Sequence, residues 1–164
     1  MADYILGVNP TVTDATAQFT LGTESMDPRA REFSQNVIRY VKAAGTIAAN
    51  AAITLDMTEE TNEPNAAVAT SATGQPLYGV SIVAMNTSTA IFGWITVEGK
   101  GVITSPTGIA AARAFLVSTA TAGQLDAMAT STNVDAVAIA AFQGVPISSI
   151  DSCSAGGTAA VLIG

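Results

Sequence analysis

The 164-residue sequence has no histidine and a single cysteine. Without histidine, Ser–His–Asp and Cys–His nucleophile activation, imidazole metal ligation and imidazole acid–base chemistry are all excluded. One cysteine, Cys153, rules out a disulfide within the chain. It sits in Ser152-Cys153-Ser154 ahead of Ala155-Gly156-Gly157, with no basic group nearby in sequence to lower its pKa, and reads as a small turn residue rather than a reactive thiol. Six basic residues stand against thirteen acidic ones, for a net charge of −7. Arg29 and Arg31 are flanked by Asp27 and Glu32, so no basic stripe exists to neutralise several phosphates, and nucleic acid is not an expected partner. An anionic membrane surface would repel the chain for the same reason. No apolar run reaches the roughly 18 residues of a membrane span, and the start carries no basic, then apolar, leader pattern. These features predict a soluble chain made in a cytoplasm.

Motifs of catalysis are missing as well. No phosphate-binding loop, nucleophile elbow or dinucleotide fingerprint occurs, and Gly99-Lys100-Gly101 is too short to cradle a phosphate. Glu59, Glu60 and Glu63 crowd together, but without the spacing and central glycine of a calcium loop they read as a solvated acidic surface. Asp56, Glu98, Asp126, Asp135 and Asp151 fall at expected strand ends or turns, where carboxylates cap backbone. No catalytic residue, metal site or cofactor is expected, and the chain does not read as an enzyme.

What remains is apolar and small. Hydrophobic residues make up 49% and charged residues 12%, about half the usual charged share of about 25%. Aromatics are only 5%, so the apolar content is mainly Ala, Val and Ile. A surface of Ala, Thr and Ser with so little charge points to assembly into something larger. Short apolar runs at intervals of about ten residues, separated by Gly, Thr, Ser and Asn, predict an all-β fold, a small β-barrel or β-sandwich.

That fold carries an internal pseudo-repeat. Arg39 to Leu55 and Trp94 to Val117 each read as strand, glycine turn, small-residue hinge and second strand, with Ile47-Ala48-Ala49 over Ile109-Ala110-Ala111 and Ile53 over Phe115. The clearest hairpin joins Leu77 to Met85 with Ala90 to Glu98 across Asn86-Thr87-Ser88-Thr89. A further β-turn is expected at Gly99-Lys100-Gly101, and Thr158 to Ile163 reads as a strand that lies in the middle of a sheet or closes a barrel, since an exposed edge of that kind would aggregate. Residues 33–164 form the body on this reading.

Residues 1–32 differ. Pro10 and Pro28 punctuate isolated apolar residues with no helical period, which predicts an extended arm with a short strand at Gln18 to Leu21. Exposed Tyr, Ile, Leu and Phe are unusual in a purely solvating tail. Tyr4, Ile5, Leu6, Val8, Phe19 and Leu21 are therefore candidates for contacts with a partner or a neighbouring subunit. Phe92 and Trp94, on the face away from the expected core, are either a subunit interface or a second minicore beneath the arm.

Tyr40 to Ala48, Leu77-Tyr78-Gly79-Val80, Gly93 to Gly99, Gly108 to Ala111 and Phe142-Gln143-Gly144-Val145 together resemble the small capsid decoration (cement) proteins of tailed bacteriophages. The likeness covers roughly Arg39 to Gly164 and lies in glycine-punctuated strands, Ala/Thr richness and scarce His and Cys. The resemblance implies a structural virion protein, commonly a homotrimer, that binds the outer surface of the expanded head and holds neighbouring major capsid protein subunits together. Other implied readings are a tail-tube or head-fibre subunit, or a cellular β-barrel binding module, against which the scarcity of pocket-lining aromatics counts.

Overall fold

A computed structural model describes residues 8–27, 36–56, 66–69, 77–110, 115–127 and 147–164. Among them every regular element is a strand: β1 (Glu24–Met26), β2 (Val37–Ala43), β3 (Ala52–Asp56), β4 (Ala66–Ala69), β5 (Gly79–Ser81), β6 (Phe92–Thr104), β7 (Leu116–Ser118), β8 (Leu125–Ala127), β9 (Ile147–Ser149) and β10 (Thr158–Ile163). The protein is all-β and sandwich-like. Eight strands lie in the order β1-β2-β4-β3-β5-β6-β10-β9, β2 also pairs with β6, and β7 and β8 form a separate hairpin.

The 13-residue β6 organises the rest. Its first half pairs with β2, from Val37↔Glu98 to Lys42↔Phe92, and its second half pairs with β10, from Gly99↔Ile163 to Thr104↔Thr158. The turn expected at Gly99-Lys100-Gly101 is not a turn, because the chain runs straight through it. At the register irregularity between Val37 and Ile38, the side chain of Asn36 replaces a strand partner. Its Oδ1 accepts from the Lys100 N–H at 2.7 Å and its Nδ2 donates to the Lys100 carbonyl at 2.9 Å. Gly99 adopts φ +93°, and a Cβ there would lie 2.3 Å from Asn36 Oδ1, so only glycine fits. The strand thus changes partners without reversing.

The pairings make the internal repeat concrete. Lys42↔Phe92 ends one ladder and Thr104↔Thr158 ends the other. Five residues beyond Lys42, Ile47 exchanges two backbone hydrogen bonds with Met85; five beyond Thr104, Ile109 does so with Cys153. The Ala43 N–H donates to the Ile91 carbonyl, and the Ser105 N–H to the Gly157 carbonyl. Val80↔Thr96 in the first unit matches Ser148↔Leu162 in the second. The units are β2 to β6 and β6 to β10, and they share β6. One correction follows from Ala52↔Val80 and Phe115↔Ser148. Phe115 takes the place of Ala52, not Ile53, so the second hinge is one residue longer and Leu116 is the inward counterpart of Ile53.

The units differ in how they close. In the first, β4 pairs parallel with β2 at Ala43↔Ala67. In the second, the position of Ala43 is held by buried Ser105, whose Oγ donates to the Asp126 carboxylate at 2.7 Å and accepts from the Gly108 N–H at 3.1 Å. A side-chain hydrogen bond stands where the first unit has a strand pairing. The expected hairpin arm Leu77 to Met85 also shortens to three residues of β5. Buried Ser81 donates through Oγ to the Ala48 carbonyl and accepts from the Ala51 N–H, tying the strand end to the hinge. The turn at Asn86 forms as expected, its Oδ1 accepting from the backbone of Ser88 and Thr89, both at 2.8 Å.

Each unit buries its own apolar face. Val41, Ala43, Ile47, Ala51, Ile53, Met85 and Ile95 fill the first. The counterparts Ile103, Ile109, Leu116, Val161 and partly buried Cys153 fill the second, joined by Ala52, Leu77 and Val80 from the first. The units are therefore stacked into one body.

Asn36→Ala is expected to cost about 1–3 kcal/mol through the stranded Lys100 peptide. Gly99→Ala is expected to cost at least about 1–2 kcal/mol from the left-handed backbone alone. Urea unfolding curves check both, and losses within about 0.5 kcal/mol, the range of ordinary surface changes, would show that the partner switch does not depend on this contact.

Candidate interaction surface

Residues 8–27 run across the outer face of β2 and β6. Asp14 and Phe92 exchange two backbone hydrogen bonds at 2.9 Å, Gly22 and Thr23 bond with Tyr40, and β1 pairs antiparallel with β2 from Glu24↔Arg39 to Met26↔Val37. The Arg39 guanidinium grips Glu24 Oε1 through two nitrogens, at 2.5 and 3.1 Å. Both side chains are about a quarter exposed, so the pair contributes at most about 1 kcal/mol.

The covered face is the aromatic centre of the molecule. Tyr40 and Trp94 lie directly opposite on β2 and β6, so their rings share a face, with centroids 5.0 Å apart. Phe19 meets Tyr40 edge-on at 5.2 Å and Trp94 at 5.3 Å, while Phe92 stacks on Tyr40 at 6.1 Å. Val8 and Ile38 complete the buried set, with Leu21 and Ile82 at its margin. The Tyr40 hydroxyl donates to Asp14 Oδ2 at 3.1 Å and accepts from the Gln18 N–H at 3.2 Å. Burial of the phenol raises its pKa; the Gln18 bond lowers it, and the nearby Asp14 carboxylate raises it further.

This geometry corrects the arm reading. Val8, Phe19 and Leu21 pack on the chain's own sheet rather than standing free for a partner, because Tyr40 and Trp94 offer them a flat apolar bed. No strand forms at Gln18 to Leu21; the strand of this segment is Glu24–Met26. Trp94 is 2% exposed and offers no surface to another subunit. With Phe92 it belongs to a minicore beneath residues 8–21. Tyr4, Ile5 and Leu6 lie outside the described residues, as do Asp135 and the acidic stretch with Glu59, Glu60 and Glu63.

Of the carboxylates expected at strand ends or turns, Asp56 ends β3 and Asp151 sits in the bend between β9 and β10, while two others lie within strands. Glu98 lies within β6 and Asp126 within β8. Asp151 accepts from the Ala160 N–H at 2.7 Å. Among the described residues no three of His, Cys, Asp and Glu gather where they could hold a metal ion. The residues that anchor the arm, Asp14 and Tyr40, carry no sequence signal, since they are 26 positions apart.

No protein-family model matches the chain. No curated protein matches it in sequence either. Among solved structures, the fold resembles the N base of the head fibre protein gp8.5 of bacteriophage phi29, with a TM-score of 0.53 and 10% identity over 79% of this chain and 95% of that one. At this identity the likeness is one of fold.

Because the Tyr40 phenol is neutral when protonated and holds its proton more tightly folded than unfolded, the arm's docking is unaffected below the ordinary tyrosine pKa of 10.0 and weakens as pH rises past it. Trp94 is the sole tryptophan. Its fluorescence is expected to shift red in an alkaline titration, starting above pH 10. Tyr40→Phe should remove that transition and destabilise the chain by about 1–2 kcal/mol at neutral pH. A transition persisting unchanged in Tyr40→Phe would refute the assignment.

Proposed function

We propose that this chain is a structural component of a bacteriophage virion, seated on the outside of the head. The observation that carries the reading is the shared fold with a head fibre base, which spans 95% of that chain. The low charge, the absence of histidine and the stacked β body support it, since they fit a rigid part made to be assembled rather than to turn over a substrate. On this reading the protein is not an enzyme and needs no cofactor. It binds major capsid protein subunits as a homotrimer and stabilises the contacts between them, with Tyr4, Ile5 and Leu6 as the residues of the arm that contact the capsid. Many identical weak contacts on an icosahedral surface sum through multivalency.

A second reading, favoured by the same fold, is the base of a head fibre: a foot that attaches to the shell and carries something outward, without strengthening the shell itself.

Co-sedimentation with the matching capsids, expanded and unexpanded, tests both. Saturable binding to expanded heads, together with a raised temperature of capsid disruption, is the expected result for a stabilising role. Binding without thermal protection would select the fibre base. Removal of residues 1–7 should weaken binding with the circular dichroism spectrum of the body unchanged. Failure to bind either head form would overturn the reading.

A further inference from the structure

The cover over the first unit is attached differently from everything beneath it. Its cluster, with Val8, Phe19 and Leu21 over Ile38, Tyr40 and Trp94, shares no residue with the two clusters that fill the body. Tyr40 and Trp94 themselves belong to the ladder of β2 with β6, which does not run through the cover. From Thr11 to Thr20 no residue is buried, so this stretch holds on by Phe19 and a few hydrogen bonds. Those bonds form one group. Asp14 and Phe92 exchange two backbone bonds, and the Tyr40 hydroxyl donates to Asp14 Oδ2 and accepts from the Gln18 N–H. Asp14 thus takes part through its N–H, its carbonyl and its carboxylate, so the group forms and breaks together. At the other end of the segment the chain turns at Thr20 to Thr23, where the Thr23 N–H donates to the Thr20 carbonyl at 3.1 Å. Gly22 in that turn has φ +81°, and a Cβ there would meet nothing within 4 Å. Beyond the turn β1 is held by a regular ladder with β2 and by the Arg39–Glu24 ion pair.

We infer that residues 8–21 form a strap, hinged at Gly22 and latched at Asp14, that lifts from the sheet as one unit while the body beneath it stays folded. A segment opens separately from its domain when it has few buried apolar contacts and its hydrogen bonds lie near solvent, and this one has both properties. The hinge is a small residue at the end of an element, in a turn with room to change its dihedral angles. Lifting leaves the cores around Ile53 and Ile103 untouched, because no strap residue enters either of them. It uncovers Tyr40 and Trp94, which are 0% and 2% exposed with the strap down, and it frees the N–H and carbonyl of Phe92. The strap therefore decides whether the first unit presents an aromatic face or a polar one. The inference does not depend on where, or whether, the protein sits on a phage head.

The test is amide hydrogen exchange on the full chain, followed by NMR in water and in urea too dilute to unfold the body. The amides of Asp14, Gln18 and Phe92 are expected to share one protection factor, at least about tenfold below that of Ile47 and Met85, which bond each other in the first unit. Phe92 is decisive, since it lies in β6 and yet its N–H bonds only to the strap among the described residues. A core substitution separates the two events further. Ile53→Val, in the first unit's core and outside the aromatic cluster, destabilises the closed and the lifted forms alike. It should speed exchange at Ile47 and Met85 by about two- to tenfold and leave Asp14, Gln18 and Phe92 unchanged. Amides that all exchange together in the wild type, or a Phe92 amide as protected as Ile47 and Met85, would overturn the inference. So would an Ile53→Val variant in which the strap amides speed up as much as those of the body.

Discussion

The two hydrogen bonds between the Asn36 carboxamide and the Lys100 backbone hold the architecture at its most demanding point. A strand that serves two sheets must leave one partner and take up another, and at the crossing its peptide groups have no regular neighbour. A buried, unpaired peptide there would cost about 1–3 kcal/mol. The Asn36 amide presents a donor and an acceptor at the spacing of a strand peptide. Gly99 supplies the left-handed kink and leaves room for that amide. Given this join, β6 can contribute Trp94 and Ile95 to the first unit and Ile103 to the second without interruption.

Duplication of a β module creates a problem at its ends. When the second unit stacks on the first, the first unit's Val80 and Ala52 are buried for nothing more than the cost of being small. The remainder of that face is larger, with Tyr40, Trp94 and Phe92, and needs a cover of its own. The N-terminal segment provides it, held by backbone pairing along β2 and by the Tyr40–Asp14 hydrogen bond. The second unit has no such cover among the described residues. On its outer face Val102 and Ala160 stand where Tyr40 and Trp94 stand in the first, while exposed Phe115 takes the place of Ala52. The smaller pair reduces the apolar area at that row, and Phe115 and Leu162 leave apolar area open at the next.

How much of this was legible in the sequence depended on the range of the interaction involved. Strand existence and the bounds of β10 followed from alternation, and the repeat was visible in the small-residue hinges because Ile47 and Ile109 each close a bridge at the same distance from a ladder end. The continuity of β6 was not legible. Gly-Lys-Gly is turn-like by local rules, and only Asn36, more than sixty residues upstream, makes it a strand. The arm was misread for a related reason. Its scattered apolar residues have no period of their own because they are spaced to fit the rings of Tyr40 and Trp94, not to form an element. The minicore was foreshadowed by Phe92 and Trp94 alternating on one face, whereas its polar anchor, Asp14, was not marked by anything local.

The same strand that joins the units also governs how the body resists load. β6 is bonded along its first half to β2 and β5 and along its second half to β10, all antiparallel. A pull that separates the units along this axis acts on rows of hydrogen bonds together, not on one bond at a time. The N-terminal segment lies across the first of those ladders, bonded directly to β6 at Asp14↔Phe92 and adding β1 outside β2, so a load on it passes into β6 without an intervening strand. That path, from the N-terminal segment through the shared strand into the second unit, suits the role proposed above, a part attached to a shell at one end and exposed at the other. On that proposal the role is carried by backbone geometry and apolar contact, which fits a chain without histidine and with little charge.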